Sequence, residues 1–152
     1  MKISASVKGI EKLKKKFDRL ESDTKAGGVR AVQDSIFLIH KTAVEMIQDN
    51  SSGTPQIRYN ASGRKRVVLA SLPGDPPNTD TGRLVQSVKF DFKNNGLTGR
   101  VGTNLRYGAW LEFGTQVMAA RPWLSAAVRE TSKEVGQIFK RAIQDVIKGV
   151  TK

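Results

Sequence analysis

Residues 88–101 read Val88-Lys89-Phe90-Asp91-Phe92-Lys93-Asn94-Asn95-Gly96-Leu97-Thr98-Gly99-Arg100-Val101. Val88, Phe90 and Phe92 alternate with Lys89, Asp91 and Lys93, the period of a strand with one buried face. Asn94-Asn95-Gly96 follows, and Asn-Gly accepts the positive φ of a tight turn. The stretch therefore predicts an antiparallel hairpin. Downstream, Tyr107, Trp110 and Leu111 lie at i, i+3 and i+4, which predicts a short helix over Tyr107–Phe113, closed by Gly114. Trp110 and Phe113 carry the largest apolar area there and are expected inside. Pro122 suits the first position of a last helix. Leu124, Val128, Thr131, Val135, Ile138 or Phe139, Ala142 and Val146 form its stripe, to about Lys148 with Gly149 beyond.

Upstream, Ile10, Leu13, Phe17 and Leu20 keep helical spacing, as do Val29, Val32, Ile36, Ile39, Ala43 and Met46 or Ile47. Gly27-Gly28 separates the two runs. Either the helix breaks there, or one long helix bends and lets a neighbour approach closely. Before it, Lys2–Lys8 alternates as a short strand ended by Gly9. Residues 51–82 are rich in Gly, Pro, Ser, Asn and Thr. Within them Gln56–Tyr59 and Arg66–Ala70 read as hairpin arms around Asn60-Ala61-Ser62-Gly63. Leu72-Pro73-Gly74-Asp75-Pro76-Pro77 is irregular, because proline fixes φ and lacks a donor. The pattern predicts an α+β domain: a small antiparallel sheet packed against a long N-terminal helix and a C-terminal helix. Residues 1–152 are read as a single domain, with 51–82 as an extended, mobile loop or hairpin arm.

The chain has 152 residues, 26 Lys+Arg against 14 Asp+Glu, one His and no Cys, and a net charge of +12. Without Cys there are no disulfides and no thiolate metal sites. No apolar run reaches a membrane span, and the basic N-terminus lacks the apolar core of a signal peptide, so a reducing cytosol is the expected place of synthesis. Residues 50–110 hold nine basic and three acidic side chains, the densest positive excess. Lys12, Lys14, Lys15 and Lys16 are interleaved with acids, as on a solvated helix face. Arg58, Arg64, Lys65 and Arg66 have no acid near them before Asp75, and are candidates for contact with an anion or a partner. An exposed hairpin kept soluble by charge is the plainer reading.

Catalytic machinery is not legible. His40 has no carboxylate at i±3 or i±4. No Gly-x-Ser-x-Gly elbow and no P-loop occur, and the acids are scattered. No catalytic, metal or cofactor residues are therefore assigned, and the chain is read as a non-enzyme. The charge keeps a basic nucleic-acid-binding module as the alternative. Against it stand an aromatic content of 7% and the lack of a helix-turn-helix or RNP-like signal.

Three blocks carry a resemblance. They are Pro73-Gly74-Asp75-Pro76-Pro77 with Thr81-Gly82-Arg83-Leu84 and Ser87-Val88; Val101-Gly102-Thr103 with Tyr107-Gly108-Ala109-Trp110-Leu111-Glu112-Phe113-Gly114-Thr115; and Met118-Ala119-Ala120-Arg121-Pro122-Trp123-Leu124. Together they resemble the head–tail joining, or tail-completion, proteins of tailed bacteriophages. Gly108 stands where Ala is commoner and Trp123 where Phe is commoner. The resemblance implies a structural virion protein of the neck, assembled in the host cytoplasm. It further implies a ring of six or twelve copies at the head-proximal end of the tail, touching tail-tube and connector proteins. DNA passing through the lumen would be met without sequence preference. Tyr107, Glu112 and Arg121 join the basic hairpin residues as candidate interface positions. Thr81 is read as a helix cap, and Glu112 as bound to Arg121 or to backbone N–H groups. Pro73, Gly74, Pro76, Pro77, Thr81, Gly82, Leu84, Trp110, Phe113, Gly114 and Pro122 are the fold-defining positions.

Overall fold

The computed structural model describes residues 10–49 and 52–150. The expected strand at Lys2–Lys8 lies outside them. In chain order the elements are α1 (Ile10–Gln48), β1 (Thr54–Tyr59), β2 (Lys65–Ala70), α2 (Arg83–Ser87), β3 (Val88–Lys93), β4 (Thr98–Thr103), α3 (Arg106–Phe113) and α4 (Leu124–Val150). The architecture is α+β, as the pattern predicts. The strands form two separate two-stranded antiparallel sheets, β1–β2 and β3–β4, in place of a single sheet.

One helix spans both apolar runs near the N-terminus, so Gly27-Gly28 does not break it. The reason lies in packing. A Cβ on Gly27 would come within 3.2 Å of Val146 on α4, so the glycine lets the two helices touch. At the other end of α1, Ala43 and Ile47 join Trp123 and Ala127 of α4 in the core. The helices therefore run antiparallel, and Leu84 and Val88 close the same cluster from the side.

The β3–β4 sheet lies on the middle of α1. Phe90 and Phe92, two apart on β3, share the face that meets Phe37, with edge-on ring contacts at 5.1 and 6.0 Å. His40 stands edge-on to Phe90, and its Nε2 lies 3.3 Å from the Val88 carbonyl oxygen. On β4, a Cβ at Gly99 would fall 2.2 Å from Ile36, so only glycine allows this close an approach. The turn takes positive φ at Asn94, Asn95 and Gly96, as its sequence predicts.

Several boundaries differ from expectation. Pro122 precedes α4 by two residues, and α4 runs through Gly149 to Val150. Gly82, at φ 70°, is the N-cap of α2, and no side chain caps that helix, so Thr81 has no capping role. Residues 71–82 hold no helix or strand and are anchored to the body at several points. Ser71 and Pro77 are buried. Asn78 Nδ2 donates to the Ser52 carbonyl at 2.6 Å, and Thr79 Oγ1 to that of Ile47 at 2.9 Å. Side-chain anchors of this kind give an irregular segment the hydrogen bonds that proline cannot make. The β1–β2 hairpin stands out from the body, with all six β1 residues exposed. Among the described residues, no helix is long and apolar enough to cross a membrane.

Candidate functional site

The residues of the family-like blocks converge on the turn between α3 and α4. Its centre is Glu112, a carboxylate only 9% exposed. One of its oxygens accepts the backbone N–H groups of Trp123 and Leu124 at 2.8 and 2.9 Å, and the other that of Ser125 at 2.9 Å. These are first-turn donors of α4, which have no partner within their own helix. A negative charge there also meets the positive end of the helix dipole. Glu112 thus caps α4 from a different helix. Burial pushes its carboxyl up, but the Ser125 side chain and the three N–H donors outweigh that, so its pKa lies below the ordinary carboxylate value.

Of the two contacts anticipated for Glu112, the backbone bonds form and the ion pair with Arg121 does not. Arg121 sends its Nε to the Ser71 carbonyl at 3.1 Å, and its N–H to that of Leu111 at 2.6 Å. It ties the segment after the hairpin to α3. Gly114, at φ 76°, donates to the Trp110 carbonyl and ends α3; a Cβ there would meet the Met118 carbonyl at 2.8 Å. Gly74 donates to the Ala120 carbonyl at 2.9 Å, which brings the Pro-Gly-Asp-Pro-Pro block to the same turn.

The two departures from the family pattern meet here. The indole N–H of Trp123, 2% exposed, donates to the Gly108 carbonyl at 3.2 Å. A Cβ at Gly108 would fall 2.5 Å from Thr103, so alanine does not fit in this backbone position. Trp123, absent from the expected core, is the largest of the fully buried side chains, and a buried indole needs such a partner.

Trp110 and Phe113 correct the expectation of burial: they are 49% and 82% exposed. The inward face of α3 is Gly108, Glu112 and, partly, Tyr107 and Leu111. A charge and a glycine occupy it, so the apolar period pointed the aromatics the wrong way. Val117, in the next turn, is 97% exposed. Trp110, Phe113 and Val117 give this end of α3 and the turn after it exposed apolar surface.

The hairpin gives more. Cross-strand partners share a face, and the register pairs Pro55 with Leu69 and Ile57 with Val67, with Tyr59 opposite Lys65. Ile57, Tyr59, Val67 and Leu69 on that face are 45–69% exposed. On the opposite face Arg58 and Arg66 are also paired, and both reach Asp80. Arg58 Nη1 lies 2.8 Å from Asp80 Oδ2, and Arg66 Nη2 contacts Oδ1. The basic run is therefore divided: two arginines clamp the hairpin to the body, while Arg64 and Lys65 near its tip make no ion pair among the described residues. No acid near Arg58 or Arg66 in sequence signalled Asp80; only the fold brings it in.

Neither a curated protein nor a solved structure matches the chain at a significant level. The family described as "Bacteriophage HK97-gp10, putative tail-component" matches residues 11–114, well over half of the chain and every element from α1 through α3. The chain belongs to this HK97-gp10-like family and is a structural tail component of a bacteriophage.

Proposed function

We propose that the protein works in the neck of the virion, as a tail-completion or head–tail joining subunit that forms a ring at the head-proximal end of the tail. The observation that carries this reading is the exposed apolar surface in two regions, at Trp110, Phe113 and Val117 and at Ile57, Tyr59, Val67 and Leu69. Contiguous exposed apolar surface marks an interaction site. A closed ring joins one face of each subunit to a different face of the next, so it calls for two unlike patches on one chain. Copies of the chain, tail-tube protein and connector proteins are the partners in this reading, with six or twelve subunits in the ring. Assembly takes place in the host cytoplasm. Arg64 and Lys65, repeated around the ring, supply sequence-independent contact with a partner or with passing DNA.

Mass measurement in solution tests the reading, on the protein alone and mixed with tail-tube protein. The expected result is a six- or twelve-subunit ring for the natural chain in at least one condition, and monomer for Phe113→Ser combined with Val117→Ser. A monomer of the natural chain in both conditions overturns it.

A further inference from the structure

Beneath the hairpin lies a cleft of about 480 Å³, enclosed by the clamped face of β1–β2, the 77–85 segment and the α3 side of the body. Its size is that of a small-ligand or short-peptide site. Val68, Val85, Tyr107 and Leu111, all half-buried, give it an apolar floor over the buried Ile47 and Leu84. Its charge is lopsided. Among the described residues Asp80 is the only acid in the lining, and Arg58 and Arg66 already hold it. Arg83 and Arg121 line the same cleft, and neither makes an ion pair among the described residues. Arg121 is held in place through its Nε, which leaves its terminal nitrogens without a carboxylate.

Two guanidinium groups beside an apolar floor suit carboxylates carried on a chain with apolar neighbours. A guanidinium presents a planar fork that matches a carboxylate with two parallel hydrogen bonds. A nucleic-acid duplex presents no apolar side chains to such a floor. We propose that this cleft binds an extended, carboxylate-bearing segment of a partner protein, with Arg83 and Arg121 reading the carboxylates. This site does not depend on the ring reading, since a monomer contains the whole cleft.

The probe is a capped hexapeptide alternating valine and glutamate, titrated into the full chain and followed by calorimetry and backbone amide shifts. One-to-one binding is expected, with shifts at residues 77–85 and 107–111. Arg83→Ser should weaken it about tenfold, as loss of one charge-assisted pair does. Arg83→Lys keeps the charge without the fork and should fall between. Arg64→Ser with Lys65→Ser removes more charge, but outside the cleft, and should change affinity less than twofold. Four results overturn the proposal: no binding at millimolar peptide; an equal or larger loss in the Arg64/Lys65 variant, which would indicate a general field; retained binding when glutamine replaces glutamate in the peptide; or displacement of the peptide by a short DNA duplex in an Arg83-dependent manner, which would make nucleic acid the occupant.

Discussion

The α3–α4 turn and the β1–β2 hairpin use charge in opposite ways. At the turn one carboxylate is buried and spent entirely on the protein's own backbone, where Glu112 closes the start of α4. At the hairpin one carboxylate near the surface holds two arginines, and the strand face turned away from it carries apolar side chains into solvent. The turn gathers the residues that carry the family resemblance, and its chemistry is satisfied internally. The hairpin lies outside those blocks, and its apolar face is exposed. The motif residues thus serve two ends: Glu112 and Trp123 hold the fold together, while Trp110 and Phe113 beside them face solvent.

The sharpest way to break that contrast is through its two tryptophans. Trp123→Ala should cost about 3–5 kcal/mol in urea unfolding, the usual loss for a buried large aromatic. Trp110→Ala, from an exposed site, should change stability by less than about 1 kcal/mol. Equal losses would mean that the aromatic face of α3 belongs to the core after all.

Next in size is Glu112. Glu112→Ala leaves backbone donors of α4 without their charged acceptor and should cost about 2–3 kcal/mol, the range for hydrogen bonds to charged groups. Glu112→Gln should cost less, since its amide oxygen still accepts. The carboxyl's folded pKa is depressed, so the unfolded chain binds the proton more readily. Its contribution is complete above the unfolded pKa and disappears as pH falls through the folded one. Melting temperatures measured below about pH 4.5 should therefore drop for the natural chain, and Glu112→Gln should remove that part of the drop.

The smallest effect is expected at the hairpin clamp. Asp80→Asn breaks a partly exposed pair of contacts and should lower global stability by about 1 kcal/mol or less. Amide exchange within 54–70 should nevertheless speed up while α1 and α4 keep their protection, because the hairpin can open without unfolding the body. A matching acceleration in the helices would show the hairpin and body to be one cooperative unit.

Local pattern carried far in this chain. The period-two run at Val88–Phe92, the Asn-Asn-Gly turn, the 3.6-residue stripes of α1 and α4 and the short helix α3 are all readable from residue order, because each depends on neighbours within a few positions. The same holds for the hairpin around Asn60–Gly63 and for the family blocks, since both are strings of residues. What the sequence left open were questions of contact. Whether Gly27-Gly28 breaks α1 was settled by Val146, more than a hundred residues away. Which side of α3 faces inward was decided by Glu112 reaching the start of α4, a preference outside apolar periodicity. The cap of α4, the Trp123–Gly108 bond and the pairing of Arg58 and Arg66 with Asp80 likewise depend on groups that only folding brings together. Periodicity records how a segment prefers to bury itself. A buried charge or a shared carboxylate is fixed by what lies across the gap, and that is set by tertiary structure alone.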